Sequence, residues 1–407
     1  MLPADFKADK VQIGIFAVTK RAIYPVRLRR MIVKGSRRRD SLRLRKPISL
    51  VKIRANVRKL SGYVPGRQPS GGDWTKLNTN ESPEASPAAV RALAALDGDW
   101  LRLYPDPTSE PLRERLAERF GLEVERVVVG NGADDIINLL IRATCDPGDT
   151  VVTTSPAYAL YSILANIQDV AVKAVPLGSN FSLPIDALKL AAGEITFVTS
   201  PNNPAGTAYP PEQVAELAAA GANLVAVDEA YAEFADSDCL ELLQRFDNVC
   251  VIRTFSKAYG LAGLRIGYLL GPPDLVGALL KIKDSYNVNR AAQIAAEAAL
   301  ADGEWAEAMW AGVRRRREWL TSALGGLGGL GLRVHPSQAN FVLVDFGDAS
   351  AVAVRQGLEE RRILVRHLEG TPETQNALRI TIGTDAELKR LVEAVGECLG
   401  AAGDYRR

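Results

Sequence analysis

Short runs of β-branched and other apolar residues alternate with helical patterns over the middle of this 407-residue chain. The strand-like runs lie at 126–129, 150–153, 171–175, 194–198, 224–227, 249–252 and 264–270. Between most of them are helical patterns, such as those at 133–142, 159–167 and 211–220. Strands that alternate with helices predict a mostly parallel sheet with helices on both faces. The sequence therefore predicts an α/β fold whose large domain is built on seven strands.

A smaller α/β domain is predicted to follow the large one. After a long helical stretch at 305–327, strand-like runs at 341–344, 363–365 and 378–382 precede a C-terminal helix. The glycines from Gly325 to Gly331 predict a loop between the long helix and these runs. We therefore expect an arm at 47–96 that joins the small domain, a large domain at 97–304 and a small domain at 305–407.

Residues 1–46 differ in composition from the rest of the chain. They contain 14 Lys and Arg against three Asp, so their net charge is +11, whereas the remaining residues carry −9. They show no apolar stretch followed by a small-residue cleavage site, so a secretory signal is not predicted. We expect a disordered basic extension, or a start codon assigned upstream of the true one. An organelle transit peptide and a basic arm that contacts nucleic acid are the alternatives.

The composition of the whole chain disfavours several classes of protein. No apolar run reaches the roughly 18 residues that a membrane span requires, and the mildly acidic body disfavours a dedicated nucleic-acid binder. The four cysteines, Cys145, Cys239, Cys250 and Cys398, are far apart in the chain, and only two histidines accompany them. We therefore expect no metal site, no disulfide framework and a reducing compartment, the cytoplasm.

Polar segments follow five of the predicted strands. They are GNGADD at 130–135, SPAY at 155–158, SPNNPAGT at 200–207, DEAY at 228–231 and TFSKAYGLAGLR at 254–265. In open α/β sheets, ligands bind just beyond the carboxyl ends of the strands. None of the segments matches the glycine patterns of dinucleotide-binding or P-loop proteins. Lys257 alone could be a surface lysine in a loop, but polar residues at five strand ends favour a ligand site.

The residue types at these strand ends suggest one chemistry. A lysine that follows a buried strand, Lys257, can form a Schiff base with an aldehyde. Asp228 follows an apolar run and needs a cationic partner, such as a protonated pyridine nitrogen. Asn203 and Tyr231 can donate hydrogen bonds to a phenolic oxygen, and the ring of Tyr158 can stack on a planar cofactor.

A phosphate can be held beside these groups. Ser256 and Arg265 supply a hydroxyl and a guanidinium, and the amides of Ala133 and Asp134 lie where a helix begins, which favours an anion. An aldehyde, a pyridine ring, a phenolic oxygen and a phosphate together describe pyridoxal 5′-phosphate.

The ordered segments GNGADD, SPAYALY, SPNNPAGT, VDEAYAEF and TFSKAYGLAGLRIGY resemble those of the fold-type-I aminotransferases. Within that group the chain is most similar to the histidinol-phosphate aminotransferase family. The segments that carry the narrower resemblance are LSGYVPG at 60–66, LNTNE at 77–81, YPD at 104–106 and LRITIGT at 378–384. The resemblance runs from about residue 51 to the C-terminus.

This resemblance implies a homodimeric, cytoplasmic, pyridoxal-phosphate-dependent enzyme that transfers the amino group of histidinol phosphate to 2-oxoglutarate. It implies that Lys257 is the Schiff-base lysine and general acid/base, with Asp228 and the other residues above around the cofactor. Tyr104 is expected to reach the cofactor phosphate from the other subunit. Arg379 and its companion Arg366 are expected to bind the substrate anion, with Tyr63 lying over the substrate.

The chain departs from the family pattern at three positions. Glu84 stands where the family commonly has an aromatic residue, and we expect it at the rim of the pocket. Asp135 replaces a usual Glu and Ala205 a usual Thr, both small changes at turns that bind through their backbone.

Three other functions are compatible with parts of this pattern. An aminotransferase for aromatic amino acids would share the cofactor residues. A threonine-phosphate decarboxylase shares the scaffold, but its lysine segment differs from TFSKAYGLAGLR. A transcription regulator with an aminotransferase-like domain would need a helix-turn-helix module, and residues 1–46 are short for one and lack helical periodicity.

Overall fold

A computed structural model describes residues 51–221, 223–327, 331–368 and 371–404. The chain divides into two units, residues 1–52 and residues 53–407. The predictions for residues 1–46 therefore lie outside the described residues, and the fold below is that of the second unit.

Thirteen strands are present in the described part of the chain. They are β1 (Thr75–Lys76), β2 (Val127–Gly130), β3 (Thr150–Ser155), β4 (Ala171–Pro176), β5 (Ile195–Thr199), β6 (Val225–Asp228), β7 (Val249–Thr254), β8 (Gly267–Leu270), β9 (Arg333–Val334), β10 (Phe341–Asp345), β11 (Ile363–Leu364), β12 (Arg366–His367) and β13 (Ala377–Thr381).

The α-helices of the same residues lie between and around these strands. They are α1 (Ala55–Lys59), α2 (Pro87–Ala94), α3 (Gly98–Arg102), α4 (Glu110–Phe120), α5 (Ala133–Thr144), α6 (Leu160–Ile167), α7 (Ile185–Lys189), α8 (Pro211–Ala219), α9 (Phe255–Ala258), α10 (Pro273–Ile282), α11 (Arg290–Ala301), α12 (Gly303–Gly326), α13 (Ala351–Glu360) and α14 (Asp385–Asp404).

The seven predicted strands form one sheet in the order β2-β8-β7-β6-β5-β3-β4. Strand β8 is antiparallel to both of its neighbours, and the other four pairings of the sheet are parallel. Successive side chains of a strand point to opposite faces. Accordingly, Val249 and Val251 of β7 pack in one apolar core, whereas Cys250 and Ile252 pack in another on the opposite face. The predicted α/β class with a seven-stranded, mostly parallel sheet is confirmed.

Two smaller sheets contain the remaining strands. Strands β12, β13, β10 and β9 form an antiparallel sheet in that order. Strand β1 pairs in parallel with β11, with Thr75 opposite Ile363. The segment that precedes the large sheet in sequence is thus hydrogen-bonded to residues that follow it by almost 300 positions.

The loop predicted from the glycines after the long helix begins later than expected. Helix α12 continues through Gly325 and Gly326, so the prediction is wrong for these two residues. The backbone N–H of Leu327 donates to the carbonyl oxygens of Leu324 and Gly325, which extends the helical hydrogen bonding to the end of the helix. Residues 328–330 lie outside the described residues.

No helix in the described residues is both long enough and apolar enough to cross a membrane. The same residues contain no group of three or more His, Cys, Asp or Glu side chains arranged to hold a metal ion.

Candidate active site

A cavity of about 180 Å³ lies where the strands of the large sheet end. Strand β6 ends at Asp228, helix α9 begins directly after β7, and helix α5 begins three residues after the end of β2. Most of the site residues predicted from the sequence line this cavity: Tyr63, Ala133, Asp134, Tyr158, Asn203, Asp228, Tyr231, Ser256, Lys257, Arg265 and Arg379. Segments that lie far apart in the sequence therefore converge on one small space.

Lys257 lies in the short helix α9, immediately after β7. Its Nζ donates a hydrogen bond to the carbonyl oxygen of Thr79 at 3.0 Å. Burial disfavours the ammonium form and lowers the pKa of Lys257 to about 8. An amine with this pKa is partly neutral near pH 7, which is the form that attacks an aldehyde. The side chain can therefore act as a nucleophile and as a proton carrier.

Asp228 is a buried carboxylate at the end of β6, with 4% of its surface exposed. It accepts hydrogen bonds from the backbone N–H of Ala230, at 3.1 Å, and from the hydroxyl of Tyr161. Burial raises the pKa of Asp228 to about 6, although the bond from Tyr161 opposes the shift. No Lys, Arg or His among the described residues forms an ion pair with it. A buried carboxylate without a cation fits a protonated pyridine nitrogen.

Tyr231 is buried beside Asp228 and is held by two amides. The Nδ2 of Asn80 donates to its hydroxyl oxygen at 3.0 Å, and the Nδ2 of Asn203 approaches the same oxygen at 3.5 Å. Burial raises the pKa of Tyr231, so its hydroxyl keeps its proton at neutral pH. The phenol can therefore donate its own hydrogen bond to an oxygen placed in the cavity.

The N-terminus of α5 forms an anion-binding corner of the cavity. Gly132 has a φ of +87°, and a Cβ on it would lie 2.7 Å from Nη2 of Arg265. The same guanidinium forms an ion pair with Asp134 at 3.0 Å. Ser256 is buried, and its hydroxyl has no hydrogen-bond partner in the described structure. A helix N-terminus, an arginine and a free hydroxyl fit a phosphate, so the donor set agrees with pyridoxal phosphate.

Tyrosines form one wall of the cavity. The hydroxyl of Tyr158 donates to Asp134 at 3.1 Å, and its ring meets those of Tyr63 and Tyr161 edge-on, at centroid distances of 6.3 Å and 5.8 Å. These contacts hold Tyr158 against the cavity, where its ring is available to a planar ligand.

Arg379 lies where the first cavity meets a second one of about 660 Å³. Its guanidinium is buried, donating to Oδ1 of Asn203 at 2.6 Å and to the carbonyl oxygen of Asn78 at 3.1 Å. Its Nε is also buried but has no partner in the part of the chain described. Arg366 lines the second cavity but not the first, and its Nη2 donates to the carbonyl oxygen of Val64 at 3.2 Å. The two arginines thus lie along one continuous space.

The family model for aminotransferase class I and II matches residues 72–395. The chain belongs to the class I and II aminotransferases. A histidinol-phosphate aminotransferase from Geotalea daltonii is 41% identical over 350 residues, which are 86% of this chain and 99% of that protein. One from Synechocystis is 39% identical over 354 residues, covering 87% of this chain and all of the relative. The family resemblance inferred from the sequence motifs is confirmed.

A solved structure shares the fold of this aminotransferase. The histidinol-phosphate aminotransferase from Sinorhizobium meliloti, in complex with pyridoxal 5′-phosphate, superposes with a TM-score of 0.79 at 28% identity. The similarity covers 87% of this chain and 99% of that one.

Tyr104 does not line the cofactor cavity of its own chain. Its side chain is 75% exposed and stacks on Tyr286 at a centroid distance of 4.4 Å, away from the cofactor cavity.

The expectation that Glu84 lies at the rim of the pocket is wrong. Glu84 lines a separate cavity against α12, because the turn that contains it packs its backbone on Gly260 and directs this side chain outward.

Sequence reasoning missed three side chains that shape the site. Tyr161 bonds to Asp228 and to Thr199, at 2.8 Å in the second case, and Asn80 bonds to Tyr231. Tyr161 lies three residues after Tyr158, a spacing that brings both to one face of a helical turn and could have indicated it. Asn80 belongs to a segment that the resemblance singled out, but nothing local predicts its contact with a residue 151 positions away.

Proposed function

We propose that this aminotransferase binds pyridoxal 5′-phosphate and transfers the amino group of L-histidinol phosphate to 2-oxoglutarate. The products are imidazole acetol phosphate and glutamate, as in histidine biosynthesis. The curated relatives with about 40% identity over most of the chain support this substrate. The single observation that carries the proposal is the buried Arg379 at the junction of the two cavities, with Arg366 further along the same space.

Lys257 and Asp228 perform the central chemistry in this proposal. When bound, the cofactor supplies an aldehyde and a ring that withdraws electrons. Nζ of Lys257 provides the amine that holds the cofactor, and it carries the proton that leaves the Cα of the amino substrate. The Asp228 carboxylate keeps the ring nitrogen protonated, because a buried anion without a cation stabilises a positive charge placed against it.

The remaining cofactor contacts fix its orientation. Asn203 and Tyr231 would bind the ring oxygen, and Tyr158 would stack on the ring. The phosphate is held by Ser256 and Arg265.

The same phosphate is bound by the backbone N–H groups of Ala133 and Asp134 at the start of α5, a helix of 12 residues whose N-terminus favours an anion.

Arg379 binds the anion of each substrate in turn. Glutamate brings an α-carboxylate, whereas histidinol phosphate lacks one and carries a phosphate monoester. A guanidinium accepts either, since its planar fork pairs bidentately with both groups and stays charged when buried. Arg366 assists mainly with the phosphorylated substrate, and Tyr63 lies over the bound substrate from the N-terminal arm.

We extend the proposal to a homodimer. Leu101 and Tyr104 are 81% and 75% exposed, and Trp100 and Leu103 beside them are 41% and 48% exposed. A run of exposed apolar side chains marks an interaction surface. A second copy of the chain covers this surface in our proposal, so that Tyr104 of each subunit reaches the cofactor phosphate of the other.

The proposal also retains the domain layout expected from the sequence. The seven-stranded sheet lies within 97–304 and the four-stranded sheet within 305–407, and β1 of the 47–96 arm pairs with β11 of the smaller domain. The four cysteines are free thiols, which is compatible with a reducing cytoplasm.

Substitution of Arg379 tests the substrate assignment. Removal of a buried, hydrogen-bonded charge costs about 2–5 kcal/mol, so kcat/KM should fall at least ~30-fold for both donors in Arg379→Ala and Arg379→Lys. Arg366→Ala should slow the reaction with histidinol phosphate more than that with glutamate. The half-reaction of each donor is followed by the visible spectral change of the cofactor, with Arg355→Ala as the control. If both Arg379 variants keep rates within threefold of the parent, the anion site lies elsewhere.

A further inference from the structure

Four consecutive arginines, Arg314 to Arg317, lie in helix α12 and differ in how they are bound. Arg314 donates to the carbonyl oxygen of Glu233 at 2.9 Å, and Arg317 donates to two other carbonyl oxygens at 3.1 Å and 3.0 Å. Arg315 and Arg316 form no hydrogen bond or ion pair with any residue that the structure describes. The Nε of Arg316 is moreover buried without a partner. The outer two arginines therefore link α12 to other segments by hydrogen bonds, and the inner two make no such bonds.

The inner two arginines line a cavity of about 460 Å³ outside the cofactor site. The side chains that give this cavity its chemistry are Glu84, Trp305, Arg315, Arg316, Trp319 and Asp385. The carboxylates of Glu84 and Asp385, like the two guanidinium groups, have no ion-pair partner among the residues described. The cavity therefore presents two cations, two anions and two indole rings, and none of the four charged groups is ion-paired within the described structure.

We propose that this cavity binds a small zwitterion that carries a planar ring, that is, an amino acid with an aromatic or heteroaromatic side chain. Guanidinium groups bind a carboxylate through paired hydrogen bonds, and the two carboxylates suit an ammonium group. The indole rings of Trp305 and Trp319 offer flat faces for a ring. A polyanion such as a nucleotide is disfavoured, because the carboxylates of Glu84 and Asp385 would repel it. The volume lies within the ordinary range of small-molecule sites, about 300–1,000 Å³.

The cavity is separate from the catalytic site but close to the segment that bears Lys257. None of its lining residues also lines the cofactor cavity. The backbone of Glu84 packs against Gly260, and the hydroxyl of Ser82 donates to the carbonyl oxygen of Lys257. Trp310 of α12 donates to the carbonyl oxygen of Ala258 at 2.6 Å. A ligand here would therefore touch the elements that support the lysine without entering the site, so this binding function is additional to the proposed activity.

Binding is tested with L-phenylalanine and protein reconstituted with pyridoxamine phosphate, a cofactor form that does not react with an added amine. Quenching of tryptophan fluorescence reports the ligand, because two of the five tryptophans line the cavity. We expect saturable quenching in the parent, in the surface control Arg91→Gln and in Arg379→Gln. The double variant R315Q/R316Q should bind at least roughly tenfold more weakly.

A second variant keeps the test decisive if the double variant does not fold. Glu84→Gln removes a single exposed charge and should also weaken binding, because the ammonium group of the ligand loses a partner. Equal affinity in parent and cavity variants would overturn the proposal. Loss of quenching in Arg379→Gln, or no saturation up to ~10 mM ligand, would do the same. The measurement involves no turnover, so its failure would leave the proposed transamination untouched.

Discussion

At the scale of single residues, the site depends on the carboxylate of Asp228, whose negative charge does not stabilise the folded protein. Asp228 has a pKa raised to about 6 by burial, whereas an aspartate in an unfolded chain titrates near 4. Between these values the folded protein binds more protons than the unfolded one. The contribution of Asp228 to the free energy of unfolding of the cofactor-free protein therefore falls as pH rises from about 4 to about 6, and then levels off. The charge is needed for the cofactor and not for the fold.

Asp228→Asn should accordingly stabilise the cofactor-free protein and abolish most of its activity. The rise of the pKa of Asp228 from near 4 to about 6 corresponds to an upper value of about 3 kcal/mol, so we expect a gain of ~1–3 kcal/mol at pH 7.5 that shrinks towards zero as pH falls to about 4. Urea unfolding of the cofactor-free protein at several pH values measures the gain. The exposed Asp247→Asn serves as the control. A destabilised Asp228→Asn protein at neutral pH would show that the carboxylate supports the fold after all.

At the scale of elements, the strand ends were predictable and the shortest strands were not. The chemistry-bearing turns follow buried apolar runs, so Lys257 and Asp228 could be placed at strand ends from local sequence. Strands β1, β9 and β12 have two residues each, and two residues show no periodicity. They are strands because another strand supplies the hydrogen bonds: β1 pairs with β11, β9 with β10 and β12 with β13. The contact of Asn80 with Tyr231 and the outward direction of Glu84 depend on tertiary packing in the same way.

The turn at Gly260 should not tolerate the methyl group of an alanine, because the backbone of another segment packs against it. Gly260 has a φ of +66°, and a Cβ there would collide with the carbonyl oxygen of Glu84 and lie 2.8 Å from Cα of Ala85. Gly260→Ala should lower the free energy of unfolding by about 2–4 kcal/mol and weaken cofactor retention, because the turn adjoins Lys257. Gly263→Ala is the matched control, since its Cβ would meet no atom within 4 Å. Equal melting temperatures for the two variants would contradict the packing described.

At the scale of the whole molecule, we expect two chains to complete each other's sites. Lys257→Ala and Tyr104→Ala subunits should each show little activity, yet a mixture should recover up to about a quarter of the parental value, because half of the dimers then contain one intact site. A mixture of Lys257→Ala with Asp228→Asn is the control, since both residues belong to one chain's site and no intact site forms. Verified hybrid dimers without recovery, or a monomer at micromolar concentration, would refute the sharing of sites.

The central claim is that this aminotransferase is built for a donor that carries a phosphate. The most direct test is kcat/KM for L-histidinol phosphate with 2-oxoglutarate as acceptor, measured beside phenylalanine and tyrosine. Since phenylalanine and tyrosine bring no phosphate for Arg366, we predict that histidinol phosphate exceeds both by at least about tenfold. An equal or higher value for either aromatic amino acid would contradict the assignment.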